Sequence, residues 1–377
     1  MKENDRLLSI VLLMISPFLS IINTLRSCWI KNYQFNILII AFTYGLMAYN
    51  YVPLEGMDFH SITLSAERIS DNFDFGNFYN LRYFFDLTIY FLIKNNISLQ
   101  VLPFISTFFS VLFLLKSVSN IIDERDGIKS NIFIVFTLLS LFSFMYSANG
   151  IRNGLACCLF VYITTLERSN IIKLWSISVL VICIHYFLIP PLIILIFSSF
   201  FQVRKDVKIT LLITSIIISF FDLSHIFASL GVKYILLEFS IDSYVSNSEF
   251  GTNRVASIYM TYLPMLTYYM LIPLMIYASK FDNKTLNTGF FIMCIALILN
   301  DFYTISVRYY YLGSLLVSVG IISIEKNKLV SSNKYQILLG YIFIISMFGT
   351  IWGAYRFILV LPSILKGLFY PPILNII

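Results

Sequence analysis

The chain has 377 residues, of which 58% are hydrophobic and only 12% are charged, and its formal net charge is +6. This composition excludes an ordinary soluble globular domain, since such domains carry about 25% charged residues. Apolar runs of roughly 15–22 residues match the length that a helix needs to cross a bilayer, and they are continuous rather than alternating. We therefore expect an all-α, polytopic integral membrane protein, with residues 1–377 forming one transmembrane domain of roughly 12–14 helices.

The N-terminal third alternates apolar and acidic stretches. The first apolar run, from Leu7 to Leu25, predicts one retained span, and a second run extends from about residue 35 to residue 52. Residues 53–80 carry five acids against Arg68 alone, which predicts a loop in water. In the next segment, 78–95, Arg82 and Asp86 are one helical turn apart and could pair on one face. The balance of Lys and Arg leaves open on which side of the membrane the 53–80 loop lies.

The remaining loops indicate a topology through their basic residues. Lys and Arg occur in the loops at 125–129, 168–173, 204–208, 280–284 and 326–334, and the positive-inside rule is obeyed if all of these are cytoplasmic. The other connections, including the long loop at 222–256, then lie outside. This arrangement requires the segment 174–201 to turn back near residues 185–191, because the tandem prolines there cannot sit in a regular helix interior. We expect a broken or re-entrant segment there.

Single arginines concentrate on the side that should be poor in them: Arg152, Arg254, Arg308 and Arg356. Arginine is the residue best suited to a bidentate grip on phosphate. Arg152 opens a span at 153–166 inside a polar, glycine-containing stretch, where helix amides and the helix dipole favour an anion. The alternative is that each arginine reaches the lipid head groups or pairs with an acid. We favour that alternative for Arg356, leave both open for Arg254, and favour function for Arg152 and Arg308.

Two further features leave alternatives open. His185 is either a packing residue or a general base or hydrogen-bond donor in a site. The loop at 222–256, with Tyr244, suits sugars but equally suits any hydrated loop. Five cysteines without a Cys-x-x-Cys spacing and three scattered histidines predict neither a disulfide framework nor a metal site, and we expect no cofactor. No basic tract indicates nucleic acid.

Four short motifs together resemble the EpsG-type, Wzy-like O-antigen (polysaccharide) polymerase family. They are Asn149-Gly150-Ile151-Arg152-Asn153-Gly154-Leu155-Ala156, His185-Tyr186, Gly56-Met57-Asp58 and Arg308-Tyr309-Tyr310-Tyr311. The resemblance implies a glycosyltransferase of the bacterial inner membrane with a GT-C-like architecture, its active site facing the periplasm and the 53–80 loop on that side. It implies that a growing glycan on undecaprenyl diphosphate is transferred to the non-reducing end of a lipid-linked repeat unit.

Residues and resemblance together assign expected roles. We expect catalysis by Arg152, His185, Arg308 and Asp58, and we expect substrate binding by Arg254, Asn149, Asn153, Tyr186, Tyr309 and Tyr244. The expected partners are the lipid-linked oligosaccharide, membrane lipids and a chain-length regulator protein. Two other functions stay in view. A flippase of lipid-linked oligosaccharide would bind diphosphate with the same arginines, and a membrane acyltransferase would need a catalytic histidine on the cytoplasmic side.

Overall fold

The computed structural model describes residues 3–27, 33–53, 58–76, 82–120, 144–166, 171–221, 269–300, 303–326, 337–338, 340–345 and 361–373. Every regular element in these ranges is helical, which confirms the all-α expectation for this part of the chain. The helices are α1 (Glu3–Ile15), α2 (Pro17–Ser27), α3 (Tyr33–Tyr49), α4 (Asp58–Asp71), α5 (Tyr83–Lys94), α6 (Val101–Ser119), α7 (Phe144–Ala148), α8 (Ile151–Thr165), α9 (Ile171–Ile184), a 3₁₀ turn (Tyr186–Leu188), α10 (Ile189–Phe200), α11 (Lys205–Ile218), α12 (Tyr269–Ala278), α13 (Lys284–Ile298) and α14 (Tyr303–Lys326).

The chain forms two compact units. The first comprises Met1–Leu192 together with Gly353–Ile377, and the second comprises Ile193–Trp352. Within the described ranges, two stretches are long and apolar enough to cross a membrane, Val101–Ser119 and Ile305–Ile324. The other apolar helices there have 10–17 residues. The expected count of 12–14 spans and the single transmembrane domain stay predictions.

The first apolar run is not one helix, so the prediction of a single span from Leu7 to Leu25 is wrong. The helix breaks at Ser16, and α2 begins at Pro17, where a missing N–H costs nothing because the first turn has no acceptor for it. The two helices pack on each other. Ser20 Oγ donates to the Ser9 carbonyl at 2.9 Å, and Asn23 Nδ2 donates to Ser9 Oγ at 2.8 Å.

The acidic stretch at 53–80, which was predicted as a loop between spans, contains the helix α4. In α4, Phe59 and Ala66 are buried while Glu67 and Asp71 are exposed, so the helix is amphipathic. Its apolar face joins a core formed with α3, α5, α6, α7 and the start of α8. The helix α5 that follows has 12 residues, about 18 Å of helix, which is too short to cross ~30 Å of hydrocarbon by itself.

The break expected in the segment 174–201 is present. Helix α9 ends at Ile184, His185 is extended with φ −155° and ψ 105°, and a single 3₁₀ turn leads into α10. Pro190 and Pro191 are the second and third residues of α10, where their missing amides have no intrahelical partner to lose. The prolines therefore lie at the start of the second helix, and the regular helix is interrupted at His185 just before them.

In the second unit, α13 and α14 approach closely at glycines. A Cβ added to Gly289 would lie 2.8 Å from Leu316 Cβ, and one added to Gly320 would lie 2.9 Å from Leu286 Cα. Helix α11 is attached to α13 by a buried lysine. Lys208 Nζ donates to Asn287 Oδ1 at 2.6 Å and to the Phe281 carbonyl at 2.9 Å.

Candidate functional site

The polar stretch around Arg152 forms a tight turn between two helices. Helix α7 ends at Ala148 and α8 begins at Ile151, with Gly150 at its N-cap. The Gly150 carbonyl accepts from the amides of Asn153 at 2.8 Å and of Gly154 at 3.1 Å. Helix α6 is hydrogen-bonded to the start of α8, because Ser106 Oγ donates to the Ile151 carbonyl at 2.7 Å.

Arg152 lies in the first turn of α8 and is half-buried. The carbon of its guanidinium lies 4.9 Å from the centre of the Phe85 ring, within the range of a cation–π interaction. This contact joins α8 to α5 within the first unit. The guanidinium therefore packs on the Phe85 ring, and this contact restricts the orientation of its planar N–H donors.

A carboxylate lies beside this contact. Arg82 Nη2 is 3.4 Å from Asp86 Oδ1, so the ion pair expected one helical turn apart is confirmed. Burial raises the pKa of the Asp86 carboxyl above its ordinary value, while the guanidinium groups of Arg82 and Arg152 lower it. The half-buried Asp86 carboxylate therefore pairs with Arg82 and also interacts electrostatically with Arg152. The local sum of charges is positive, which favours an anionic ligand.

Asn149 connects this turn to the acidic stretch. Its Oδ1 accepts a hydrogen bond from the backbone amide of Phe59 at 3.0 Å, which satisfies one of the first amides of α4. Asp58 is the first residue of α4 and its side chain is exposed. The hydrogen bond therefore places the backbone next to Asp58 at the turn that carries Arg152. A carboxylate at a helix N-terminus also stabilises the helix, so Asp58 has a structural use as well.

His185 is buried, with 7% of its surface exposed. Its Nδ1 accepts a hydrogen bond from the Phe187 amide over 3.4 Å, and its ring contacts those of Tyr186 and Phe187. In a neutral imidazole with Nδ1 accepting, the proton is carried on Nε2. This arrangement suits a hydrogen-bond donor better than a general base, because the lone pair of Nδ1 is already engaged. Tyr186 is half-buried beside it.

Arg308 and Tyr309 belong to the second unit. Arg308 is the sixth residue of α14, in its second turn, and is half-buried. Tyr309 is buried, with 6% of its surface exposed. Both residues therefore lie on α14. Arg254 and Tyr244, with the loop at 222–256, lie outside the described residues.

Two buried polar groups of the turn were not singled out together from the sequence. Ser147 Oγ and Asn153 Nδ2 have no hydrogen-bond partner among the described residues, although both side chains are buried. Buried polar groups are nearly always hydrogen-bonded in folded proteins, whether to the chain, to water or to a ligand. Asn153 was an expected substrate-binding residue. Ser147 was not an expected site residue. The signal that could have identified it is a hydroxyl at the end of an apolar run.

In the described ranges no group of three or more His, Cys, Asp or Glu side chains could hold a metal ion. No family model, curated protein or solved structure matches the chain. The candidate site is therefore argued from local geometry: a half-buried arginine on an aromatic ring, a helix N-terminus with glycine at its N-cap, a nearby carboxylate and two buried polar groups.

Proposed function

We propose that this chain is a polysaccharide polymerase that transfers a growing glycan from undecaprenyl diphosphate to the non-reducing end of a lipid-linked repeat unit. The observation that carries the proposal is the placement of Arg152. Arg152 lies in the first turn of a helix whose N-cap is a glycine, with its guanidinium against Phe85 and within the electrostatic reach of Asp86. An anion at this point would meet both the helix dipole and a fixed bidentate cation.

A diphosphate suits such a site better than a carboxylate substrate does. It offers several oxygens to one guanidinium and to backbone amides at once, and its charge is large enough to offset the cost of displacing water. Arg308, half-buried on α14, supplies a second guanidinium in this proposal, and Arg254 is assigned to binding with the loop at 222–256. Arg152 and Arg308 take the role that a divalent metal has in many glycosyltransferases.

The proposed reaction exchanges one bond to the anomeric carbon for another. An acceptor hydroxyl oxygen forms a bond to the anomeric carbon of the donor sugar, and the bond from that carbon to the diphosphate oxygen breaks. The electron pair leaves with undecaprenyl diphosphate, whose growing negative charge the arginines stabilise. The acceptor hydroxyl gives its proton to a base.

Asp58 is the better of the two expected bases. Its exposed carboxylate stands at the start of α4, attached to the Arg152 turn through Asn149 and Phe59. His185 is assigned instead as a donor from Nε2 to the leaving oxygen or a phosphate oxygen, because its Nδ1 accepts from Phe187. Asn153 and Ser147 would complete their hydrogen bonds with substrate or ordered water. Tyr186, Tyr309 and Tyr244 are assigned to the sugars.

The membrane context belongs to the same proposal. We place the chain in the bacterial inner membrane with roughly 12–14 spans and a GT-C-like arrangement, and we place the Arg152 turn on the periplasmic face. What supports this is the overall composition, the two apolar helices of membrane-spanning length and the run of Lys- and Arg-bearing loops. The break at His185 supports a re-entrant segment that lines a cavity.

The direct test is elongation by the purified protein in lipid nanodiscs with a defined oligosaccharide on undecaprenyl diphosphate. We expect wild type to produce a ladder of products. We expect Arg152→Ala to lower the rate by about 10²–10³, and Arg152→Lys to retain part of it, since a point charge replaces the bidentate fork. Arg204→Ala is the matched control, because that side chain is 84% exposed.

The outcomes separate the candidate functions. A flippase forms no longer glycan in a nanodisc, so single units that stay unchanged with well-folded wild type would overturn the polymerase. If wild type and Arg152→Ala elongate the glycan at the same rate, Arg152 has no part in the reaction. Strong inhibition by a chelator would contradict a metal-free reaction, and thermal melting of each variant in the same nanodiscs separates loss of activity from loss of fold.

A further inference from the structure

A small cleft opens between the end of α4 and the start of α5, beside the proposed diphosphate site. Its volume is about 240 Å³, and it is lined by residues that include Arg68, Asn72, Phe73, Tyr83 and Asp86. Sites for drug-sized ligands occupy ~300–1,000 Å³. The cleft therefore suits a ligand about the size of one sugar ring.

One wall of the cleft is aromatic. The rings of Phe73 and Tyr83 have centres 5.4 Å apart, and Phe73 stacks on Tyr90 at 5.3 Å. Phe75 completes the cluster, with its ring 5.0 Å from Phe73 and 5.3 Å from Tyr90. A pyranose presents a patch of C–H groups on one face, which an aromatic surface of this kind accommodates. The rings hold one another in place, so little side-chain freedom is lost on binding.

The rim of the cleft is polar and carries both donors and acceptors. Asn72 Nδ2 donates to the Arg68 carbonyl at 2.9 Å, which leaves the amide oxygen to accept. Asp74 Oδ1 accepts from the Gly76 amide at 2.8 Å, which fixes its carboxylate while the second oxygen can accept from a hydroxyl. The exposed Arg68 guanidinium supplies donors. Neighbouring hydroxyls on a sugar ring can be bound in pairs by such planar groups.

The charges of the cleft select the class of ligand. Asp74 and Asp86 oppose a phosphate, whereas Arg68 opposes an amine and Arg82, outside the lining, pairs with Asp86, so a neutral ligand fits best. Asp86 also connects the cleft to the candidate site, because it follows Phe85, whose ring packs on Arg152, and it interacts with the Arg152 charge. A sugar in the cleft would lie next to a diphosphate at Arg152.

We propose that the cleft between α4 and α5 binds one neutral hexopyranose ring, the sugar nearest to the diphosphate that Arg152 holds. This assignment of the sugar's place in the substrate rests on the proposed function, whereas the capacity of the cleft to bind a neutral pyranose does not. The cleft is then the subsite that recognises the first sugar of the lipid-linked glycan.

The test uses saturation-transfer NMR on the full chain in nanodiscs of phosphatidylethanolamine and phosphatidylglycerol. The probes are the methyl glycosides of glucose, galactose, rhamnose and N-acetylglucosamine. We expect at least one probe to receive saturation from wild type, and we expect Asn72→Ala and Asp74→Ala to weaken its binding about tenfold. Asn95→Ala is the matched control, since its side chain is exposed at the end of α5, and it should bind as wild type does.

The outcomes distinguish the cleft from the reaction. No saturation of any probe, or equal saturation by wild type and both cleft variants, would overturn the cleft as a sugar subsite. If wild type elongates the lipid-linked unit, Asn72→Ala should lower kcat/KM about tenfold relative to Asn95→Ala, and an unchanged kcat/KM would likewise overturn the subsite. If probes bind through Asn72 and Asp74 but wild type elongates nothing, the polymerase falls and sugar binding by the cleft stands.

Discussion

The Oδ1 atom of Asn149 lies 3.0 Å from the backbone nitrogen of Phe59, 90 residues earlier in the chain. This one hydrogen bond joins the turn that carries Arg152 to the helix that begins with Asp58. The two residues contribute to the candidate site through their backbone and amide groups, whereas their charged neighbours carry the proposed chemistry.

Replacing Asn149 should therefore affect both stability and activity. Asn149→Ala removes the acceptor for a helix N-terminal amide, which costs about 0.5–2 kcal/mol in comparable caps. Asn149→Asp keeps an acceptor and should restore most of the stability. The measurement is thermal melting with elongation assays in parallel. Asn95→Ala, which removes an exposed amide bonded only to the Phe91 carbonyl, is the control. Equal melting temperatures for wild type and Asn149→Ala would show that the contact contributes nothing.

Close packing of α13 on α14 predicts a strong effect of single methyl groups. Gly289→Ala and Gly320→Ala place a Cβ within 3 Å of atoms on the facing helix, so the helices must separate. We expect each to lower stability by about 1–3 kcal/mol, as overpacked cores do. Gly340→Ala is the matched control, because an added Cβ there meets nothing within 4 Å. If Gly289→Ala and Gly320→Ala have the same melting temperature as Gly340→Ala, the helices do not approach this closely.

The buried lysine of α11 should be sensitive to loss of its amine. Lys208→Met keeps the length of the side chain but leaves the Asn287 amide oxygen and the Phe281 carbonyl without this donor. We expect a loss of about 1–3 kcal/mol, the cost of leaving buried acceptors unsatisfied. Lys205→Met, at an exposed position one turn earlier, should be neutral. The free energy of unfolding of both variants is measured by denaturation. Equal values for Lys208→Met and Lys205→Met would contradict a structural role for the Lys208 amine.

The charge on Asp86 should reduce stability at neutral pH. Burial raises the pKa of this carboxyl in the folded protein above its ordinary value of 3.8, so the folded state resists ionisation more than the unfolded state does. Below pH 3.8 the carboxyl is protonated in both states and costs nothing. Above the raised pKa the full cost is present.

Asp86→Asn should therefore melt at a higher temperature than wild type at neutral pH, and the difference should shrink to nothing as the pH falls through the folded pKa to below 3.8. Melting curves across this range measure it. Asp71→Asn, whose carboxylate is 73% exposed, should show little difference at any pH. A lower melting temperature for Asp86→Asn at neutral pH would contradict this sign. A carboxylate retained at a cost to stability is typical of a binding site.

Local patterns in the sequence predicted the structural features that depend on residues close together in the chain. The Arg82–Asp86 pair follows from helical spacing, and the break at His185 follows from the chemistry of Pro190 and Pro191. Continuous hydropathy concealed the break before Pro17, because an apolar run looks the same whether one helix or two carries it. The acidic composition of 53–80 concealed α4, because half of an amphipathic surface helix is polar.

The candidate site was predictable only in its separate parts. Arg152, Asn149 and Asn153 stood out because polar groups between apolar runs are costly. The ring of Phe85 under Arg152 and the bond from Phe59 to Asn149 join residues 67 and 90 positions apart, and no periodicity reports contacts at such separations. The hydrogen bond that His185 Nδ1 accepts from the Phe187 amide likewise depends on the local backbone conformation.

The bond between Asn149 and Phe59 also bears on how the protein is made. Synthesis proceeds from the N-terminus, so α4 emerges from the ribosome 90 residues before the amide oxygen that caps it. At ~5–20 residues per second, this is a delay on the order of 5–20 s. During that interval α4 has an open first turn and its apolar face lacks α7 and α8. A nascent chain stalled before residue 149 would thus expose an incomplete helix to quality-control proteases until synthesis of the turn supplies the acceptor for its first amide.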